Sequence, residues 1–107
     1  MIIGMSLDGT AQWYQNIGGT NDESIVKLAT DEEDNVVAVG GFASSLTLGS
    51  ETITPPTTSY SNSIMAKFSS IDGTYISSKT FGGTDNDDKI SSVTATKDGG
   101  LLLGAWY

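Results

Sequence analysis

The stretch DGTAQWYQNIGGT, residues 8–20, comes back as DGTYISSKTFGGT, residues 72–84, and this return decides the fold. Asp8-Gly9-Thr10 matches Asp72-Gly73-Thr74, and Gly18-Gly19-Thr20 matches Gly82-Gly83-Thr84, at an offset of 64 residues. Carried on without a gap, the same offset sets Asp34 on Asp98 and Gly40 on Gly104. Apolar class follows as well: Leu7 with Ile71, Ile17 with Phe81, Val26 with Ile90, Val37 with Leu101, Val39 with Leu103 and Phe42 with Trp106. Identical turn residues around equivalent apolar positions mean one supersecondary unit used twice. The 107 residues hold a first unit over 1–69 and an incomplete second unit over 70–107.

Nowhere do apolar residues recur at helical spacing over a useful length, whereas short alternating runs recur between turn signals. Strands are expected near Ile2–Ser6, Ala11–Ile17, Ser24–Thr30, Val36–Phe42, Leu46–Leu48 and Glu51–Thr54. Four more are expected near Ser63–Phe68, Tyr75–Phe81, Lys89–Thr96 and Leu101–Trp106. Asp8-Gly9 and Asp72-Gly73 read as hairpin dipeptides of the primed-turn kind, and Gly49-Ser50 as a further tight hairpin. Val36-Val37-Ala38-Val39 and Leu101-Leu102-Leu103 are continuously apolar, which predicts central strands covered on both faces. Residues 54–63, with Pro55-Pro56 among Thr and Ser, read as a stiff polar surface loop.

Composition narrows the function classes. The formal net charge is −8, with only five Lys and Arg, which argues against nucleic acid and against an anionic membrane surface. There is no His and no Cys, so imidazole bases, thiol nucleophiles, disulfides and zinc sites are excluded. No apolar run approaches the roughly 18 residues of a membrane span, so membrane insertion is not expected. Residues 1–9 lack the basic start and apolar stretch of a signal peptide. Ser and Thr make up about a quarter of the chain, a mixture that suits an exposed, secreted β protein.

The joint occurrence of these turns resembles the bacterial seven-bladed β-propeller (SBBP-type) repeat. The residues that carry the resemblance are Trp13, Gly18, Gly19, Asp22, Asp31, Asp34, Asn35, Val36, Gly40, Ala66, Lys67 and Phe68. Two departures stand out: Asp34 replaces the family's usual glycine before Asn35, and Ser77 replaces the aromatic in the second unit. The resemblance implies an all-β, propeller-like architecture of four-stranded antiparallel blades, with fewer than two blades in this chain. It implies a secreted or surface-exposed scaffold, and it brings no catalytic residues with it.

A closed propeller needs about four blades or more. Met1–Ser6 takes the place that Ile64–Ser69 holds before the next Asp-Gly turn, and Trp106-Tyr107 falls where the first unit runs on into its hairpin. Both ends are therefore expected to lie within blades, with edges completed by neighbouring repeats or by copies of the same chain. Head-to-tail repetition makes a ring or an open filament, and the open array is the favoured expectation.

Several clusters invite a chemical reading. The acidic turn Asp85-Asn86-Asp87-Asp88, with Asn21-Asp22-Glu23 as its counterpart, offers oxygen ligands of the kind calcium takes, without the spacing of an EF-hand loop. Asp31-Glu32-Glu33-Asp34 fails as a glycosidase pair, because it sits in an exposed turn and its counterpart reads Ala95-Thr96-Lys97-Asp98. Trp13, Tyr14, Tyr60, Trp106 and Tyr107 are candidates for stacking on sugars, with core packing as the competing role. Thr57, Thr58 and Ser59, beside the prolines, are candidate O-glycan sites, whereas no Asn-x-Ser/Thr sequence occurs. The expectation is a non-catalytic, cofactor-free structural repeat of an extracellular or cell-surface assembly, whose partner is itself. A carbohydrate- or cation-binding propeller module is the alternative.

Overall fold

A run such as Val36-Val37-Ala38-Val39 is stable only where both sheet faces are covered, and it lies in that setting. The computed structural model describes residues 1–19, 23–55, 62–82 and 89–106. Its elements are β1 (Ile2–Met5), β2 (Ala11–Gln15), β3 (Ile17–Gly19), β4 (Glu23–Thr30), β5 (Val36–Phe42) and β6 (Leu46–Leu48). They continue with β7 (Glu51–Ile53), β8 (Asn62–Phe68), β9 (Tyr75–Phe81), β10 (Lys89–Ala95) and β11 (Leu101–Trp106). Among the described residues there is no helix, and so none long and apolar enough to cross a membrane.

The strands form four antiparallel sheets, ordered β1-β2, β3-β6-β7, β4-β5-β8-β9 and β10-β11. The four-stranded sheet is the centre, and it draws β9 from beyond residue 70. Its ladder pairs Val36 with Phe68, Ala38 with Ala66 and Gly40 with Ile64, so these residues share one face. That face meets Ile2 of β1, Trp13 of β2, and the small sheet's Ile17, Leu46, Leu48 and Ile53. The opposite face carries Val37 and Val39, both fully buried, beneath β10. There the Ile90 N–H donates to the Ser63 hydroxyl at 2.8 Å. Burial of each large apolar side chain in this core is worth about 1.5–3 kcal/mol.

The strand expected over Ala11–Ile17 is two strands, divided at Asn16, because β2 pairs with β1 while β3 leaves to pair with β6. The tight hairpin at Gly49-Ser50 is present, with Leu48 opposite Glu51. Leu101–Leu103 does not lie on a central strand. Among the described residues β11 pairs only with β10, and Leu102 remains 64% exposed.

The Asp-Gly turns also differ from expectation. At Ser6–Thr10 the Ser6 N–H donates to the Thr10 carbonyl and the Gly9 N–H to the Ser6 carbonyl. This is a three-residue loop closed by a left-handed residue, Gly9 at φ 87°, and not a primed two-residue turn. The turns at Asp31–Asn35 and Thr96–Gly100 have the same bonds, with Asp34 (φ 62°) and Gly99 (φ 88°) at the left-handed position. Asp34 is the one described non-glycine residue with positive φ, and it stands where the other two turns use glycine.

Register shows where the constant offset fails. In β4–β5 a bulge lies between the pairs Ile25–Gly40 and Lys27–Val39, and in β10–β11 between Ile90–Ala105 and Ser92–Gly104. These hairpins correspond at 65 residues, so Asp34 answers to Gly99 and Gly40 to Ala105. In β1–β2 the bulge lies between Gly4–Trp13 and Met5–Ala11, and in β8–β9 between Lys67–Ser77 and Phe68–Tyr75. Here β1 answers to β8 at 63 residues and β2 to β9 at 64, which keeps Trp13 with Ser77. One residue is added in the turn at 69–74 and one between Gly83 and Lys89.

Candidate functional site

The acidic turn after β4 is built around Asp31. Its carboxylate accepts the Glu33 and Asn35 backbone N–H groups, each at 2.9 Å, and the Asn35 amide at 3.3 Å. The Lys67 ammonium, on β8, completes the set at 3.1 Å. Burial acts to raise the Asp31 pKa, but Lys67 and the Asn35 donors outweigh it and hold the carboxyl below its ordinary value. An acid held this way favours its ionised form and organises the turn through the donors it accepts. Glu32, Glu33 and Asp34 follow Asp31 in the same turn and are exposed.

The other turn aspartates act alike. Asp8 accepts the Ser6 hydroxyl and the Thr10 N–H, the latter at 3.0 Å. Asp72 accepts the Thr74 hydroxyl at 2.6 Å and the Thr74 N–H at 3.0 Å, and Asp98 accepts the Thr96 hydroxyl. Each is held below its ordinary pKa, chiefly by the hydroxyl of Ser6, Thr74 or Thr96 respectively. Among the described residues no group of three or more Asp or Glu is placed to hold a metal ion. The calcium candidates Asp85–Asp88 and Asn21-Asp22, the O-glycan candidates Thr57, Thr58 and Ser59, and Tyr60 and Tyr107 lie outside the described residues.

The aromatic side chains divide. The Trp13 indole donates to the Ser70 carbonyl at 2.9 Å and lies against Gly4 and Gly73 so closely that a Cβ at either would overlap its ring. Beside it, the Gln15 amide donates to the Gly73 carbonyl at 3.0 Å, and together the two side chains fasten β2 to the β8–β9 turn. Tyr75 meets Phe68 edge-to-face at 6.2 Å and shares a 2.8 Å hydrogen bond with Ser78. Tyr14 is different, with 69% of its surface exposed.

Tyr14 pairs with Ile3 in the β1–β2 ladder, so the two share a face. On that face Met1, Ile3 and Met5 are 71%, 52% and 57% exposed, while Ile2 on the reverse side is buried. Register assigns Met1, Ile3 and Met5 the places of Ile64, Ala66 and Phe68, all buried in the central sheet. At the opposite end of the stack, Leu102 holds the place of fully buried Val37. Both hairpins therefore present to water the positions that the central sheet hides, and among the described residues one edge of each, on β1 and on β11, has no partner strand. Alternation in Met1-Ile2-Ile3-Gly4-Met5 does not reveal this face, because the inward position Ile2 is equally apolar.

The chain has no significant match to any protein-family model, to any curated protein or to any solved structure.

Proposed function

We propose that this chain is a non-catalytic structural unit of an extracellular or cell-surface array, built from β-propeller-type sheets and associating with copies of itself or with neighbouring repeats. The observation that carries the reading is the exposed apolar face of β1–β2, whose register counterparts are the buried core of the central sheet. Monomeric proteins rarely leave such a face and two strand edges uncovered, because both invite association.

The turn acids support a scaffold role, since Asp8, Asp31, Asp72 and Asp98 each accept hydrogen bonds from donors of their own turns. Composition supports the surface placement: Ser and Thr make up about a quarter of the chain, Gly is abundant and Lys scarce, and the strongly acidic balance keeps extended assemblies soluble. Thr57, Thr58 and Ser59 are the proposed attachment points for O-linked glycan on the outside of the array.

Light scattering on the folded chain over a range of concentrations tests the reading. A mass that rises with concentration supports it, and a strictly monomeric, fully folded species overturns it.

A further inference from the structure

We infer that β11 of one copy takes β1 of a second copy as its antiparallel neighbour, in one defined register, and so closes a four-stranded sheet β10-β11-β1-β2 across two molecules. The inference rests on the proposed self-assembly and names its joint. The central sheet supplies the template: β5 and β8 pair Val36 with Phe68, Val37 with Lys67, Ala38 with Ala66, Val39 with Met65 and Gly40 with Ile64. The β10–β11 hairpin matches β4–β5, bulge included, and β1–β2 matches β8–β9, bulge included. Transferring the β5–β8 ladder onto these counterparts pairs Leu101 with Met5 of the second copy, Leu102 with Gly4, Leu103 with Ile3, Gly104 with Ile2 and Ala105 with Met1.

The faces agree without adjustment. Leu101 and Leu103 are half-buried toward the central sheet of their own copy, while Leu102 points outward. In the joined sheet, Met1, Ile3 and Met5 of the second copy fall on the same side as Leu101 and Leu103, and so turn onto the first copy's central sheet. Leu102 falls on the other side, beside Gly4 and Ile2 of the second copy, beneath the second copy's own central sheet. Met1, Ile3 and Met5 of the second copy and Leu102 of the first, exposed in the single chain, are then covered. A slip of one residue would turn the whole set to the wrong side, so only registers of this parity bury it, and among those the β5–β8 ladder selects the one given. The joint is head-to-tail, so it propagates from copy to copy and makes a ring or a filament according to the rotation at each step.

Because the full sequence holds no cysteine, disulfide trapping reads the register directly. Four double variants share four sites: Ile3→Cys/Leu103→Cys and Met5→Cys/Leu101→Cys are in register, and Ile3→Cys/Leu101→Cys and Met5→Cys/Leu103→Cys are slipped by two. Directly opposed strand positions bring Cα atoms within disulfide reach, whereas diagonal neighbours lie at or beyond its limit. Oxidation is expected to give ladders of covalent multimers from the two in-register variants, at least several-fold more than from the slipped pair. Equal or greater trapping of the slipped variants overturns the register. No trapping in chains that still assemble by light scattering overturns the β11–β1 joint but leaves self-assembly standing, whereas a folded monomer overturns both. Hydrogen exchange on the unaltered chain is the second measurement: amides of residues 2–5 and 101–105 gain protection as concentration rises, and unchanged exchange there in an assembled sample overturns the joint.

Discussion

Lys67 Nζ lies 3.1 Å from Asp31 Oδ2, and this ion pair clamps the β4–β5 turn to β8, the strand on the far side of β5. Asp31 is the more buried partner, and it also receives the Glu33 and Asn35 donors. Asp31→Asn keeps the shape but removes the charge and half the acceptor capacity, so a loss of about 1–2 kcal/mol is expected. Lys67→Met, at a more exposed position, is expected to cost less, roughly 0.5–1 kcal/mol. Urea denaturation of the two variants checks the order. Equal effects would mean that the ion pair, and not the turn donors, accounts for what Asp31 contributes.

The same carboxylate makes stability depend on pH in a definite direction. Its folded-state pKa is lowered from the ordinary 3.8, so the folded chain binds this proton less readily than the unfolded one. The contribution is therefore complete above the unfolded value and is lost as pH falls from there through the lower folded value. Thermal melts should show little change attributable to Asp31 between pH 5 and 8, taken as a rough window well above both values, and a progressive loss below about 4. In Asp31→Asn the acid-limb slope should be shallower; an unchanged slope would assign it to other groups.

Asp34 occupies a left-handed position, φ 62°, in a turn whose counterparts place Gly9 and Gly99 there. Left-handed backbone costs an L-residue about 1–2 kcal/mol, less for Asp and Asn. Asp34→Gly removes that strain but loosens the unfolded chain by about 0.4–1 kcal/mol, so the net change should be near zero or slightly stabilising. Asp34→Val cannot relax in this way and should lose about 1–2 kcal/mol. A destabilised Asp34→Gly would show that the Asp34 side chain itself contributes to the turn.

Much of the sheet plan is legible in the sequence, because β5 combines an unbroken apolar run with turn residues at both ends. The identical signal in Leu101–Leu103 misleads on burial, since an apolar run records what a strand needs and not which neighbours it has. The offset misleads for a different reason. The identities Asp34–Asp98 and Gly40–Gly104 favour a constant spacing, yet the single-residue additions at 69–74 and after Gly83 leave the Asp-Gly and Gly-Gly anchors in place. Long-range partners such as Trp13 with Ser70, or Asp31 with Lys67, have no sequence signal at all; they arise from layers meeting in space.

Gly4 and Trp13 are cross-strand partners, and the indole covers the place where a Gly4 side chain would stand. Gly4→Ala alone should therefore displace the ring and weaken its bond to the Ser70 carbonyl, with a cost of about 1–3 kcal/mol from overpacking. Trp13→Ala alone removes a large packed ring and should cost about 3 kcal/mol or less, because the residue is only half-buried. In the double variant the methyl added by Gly4→Ala has no ring to meet, so the two losses should be sub-additive by at least about 1 kcal/mol. Strict additivity in a double-mutant cycle would mean that β1 and β2 move apart freely. The Trp13 fluorescence maximum offers an independent view, since a displaced indole shifts toward the red.

The outer face of β1–β2 offers the sharpest separation between fold and assembly. Ile3 is half-exposed in the single chain, so Ile3→Glu should leave urea stability within about 0.5 kcal/mol. If the face is buried between copies, the same change forfeits the remaining half of that side chain's apolar burial, roughly 0.8–1.5 kcal/mol or about 4–12-fold in association constant, and adds the cost of burying a carboxylate there. Each copy carries a formal charge of −8, so an added carboxylate also increases repulsion at long range. Leu7→Glu and Ile71→Glu make the identical charge change at fully or nearly fully exposed turn positions and serve as controls. Light scattering at about 0.1 M salt, where the screening length is about 10 Å, should show Ile3→Glu dispersed and both controls still associated. Added salt should restore the controls' small deficit but not that of Ile3→Glu, because screening does not return lost apolar contact. Equal dispersal by all three variants would assign the effect to net charge and remove the β1–β2 face from the interface.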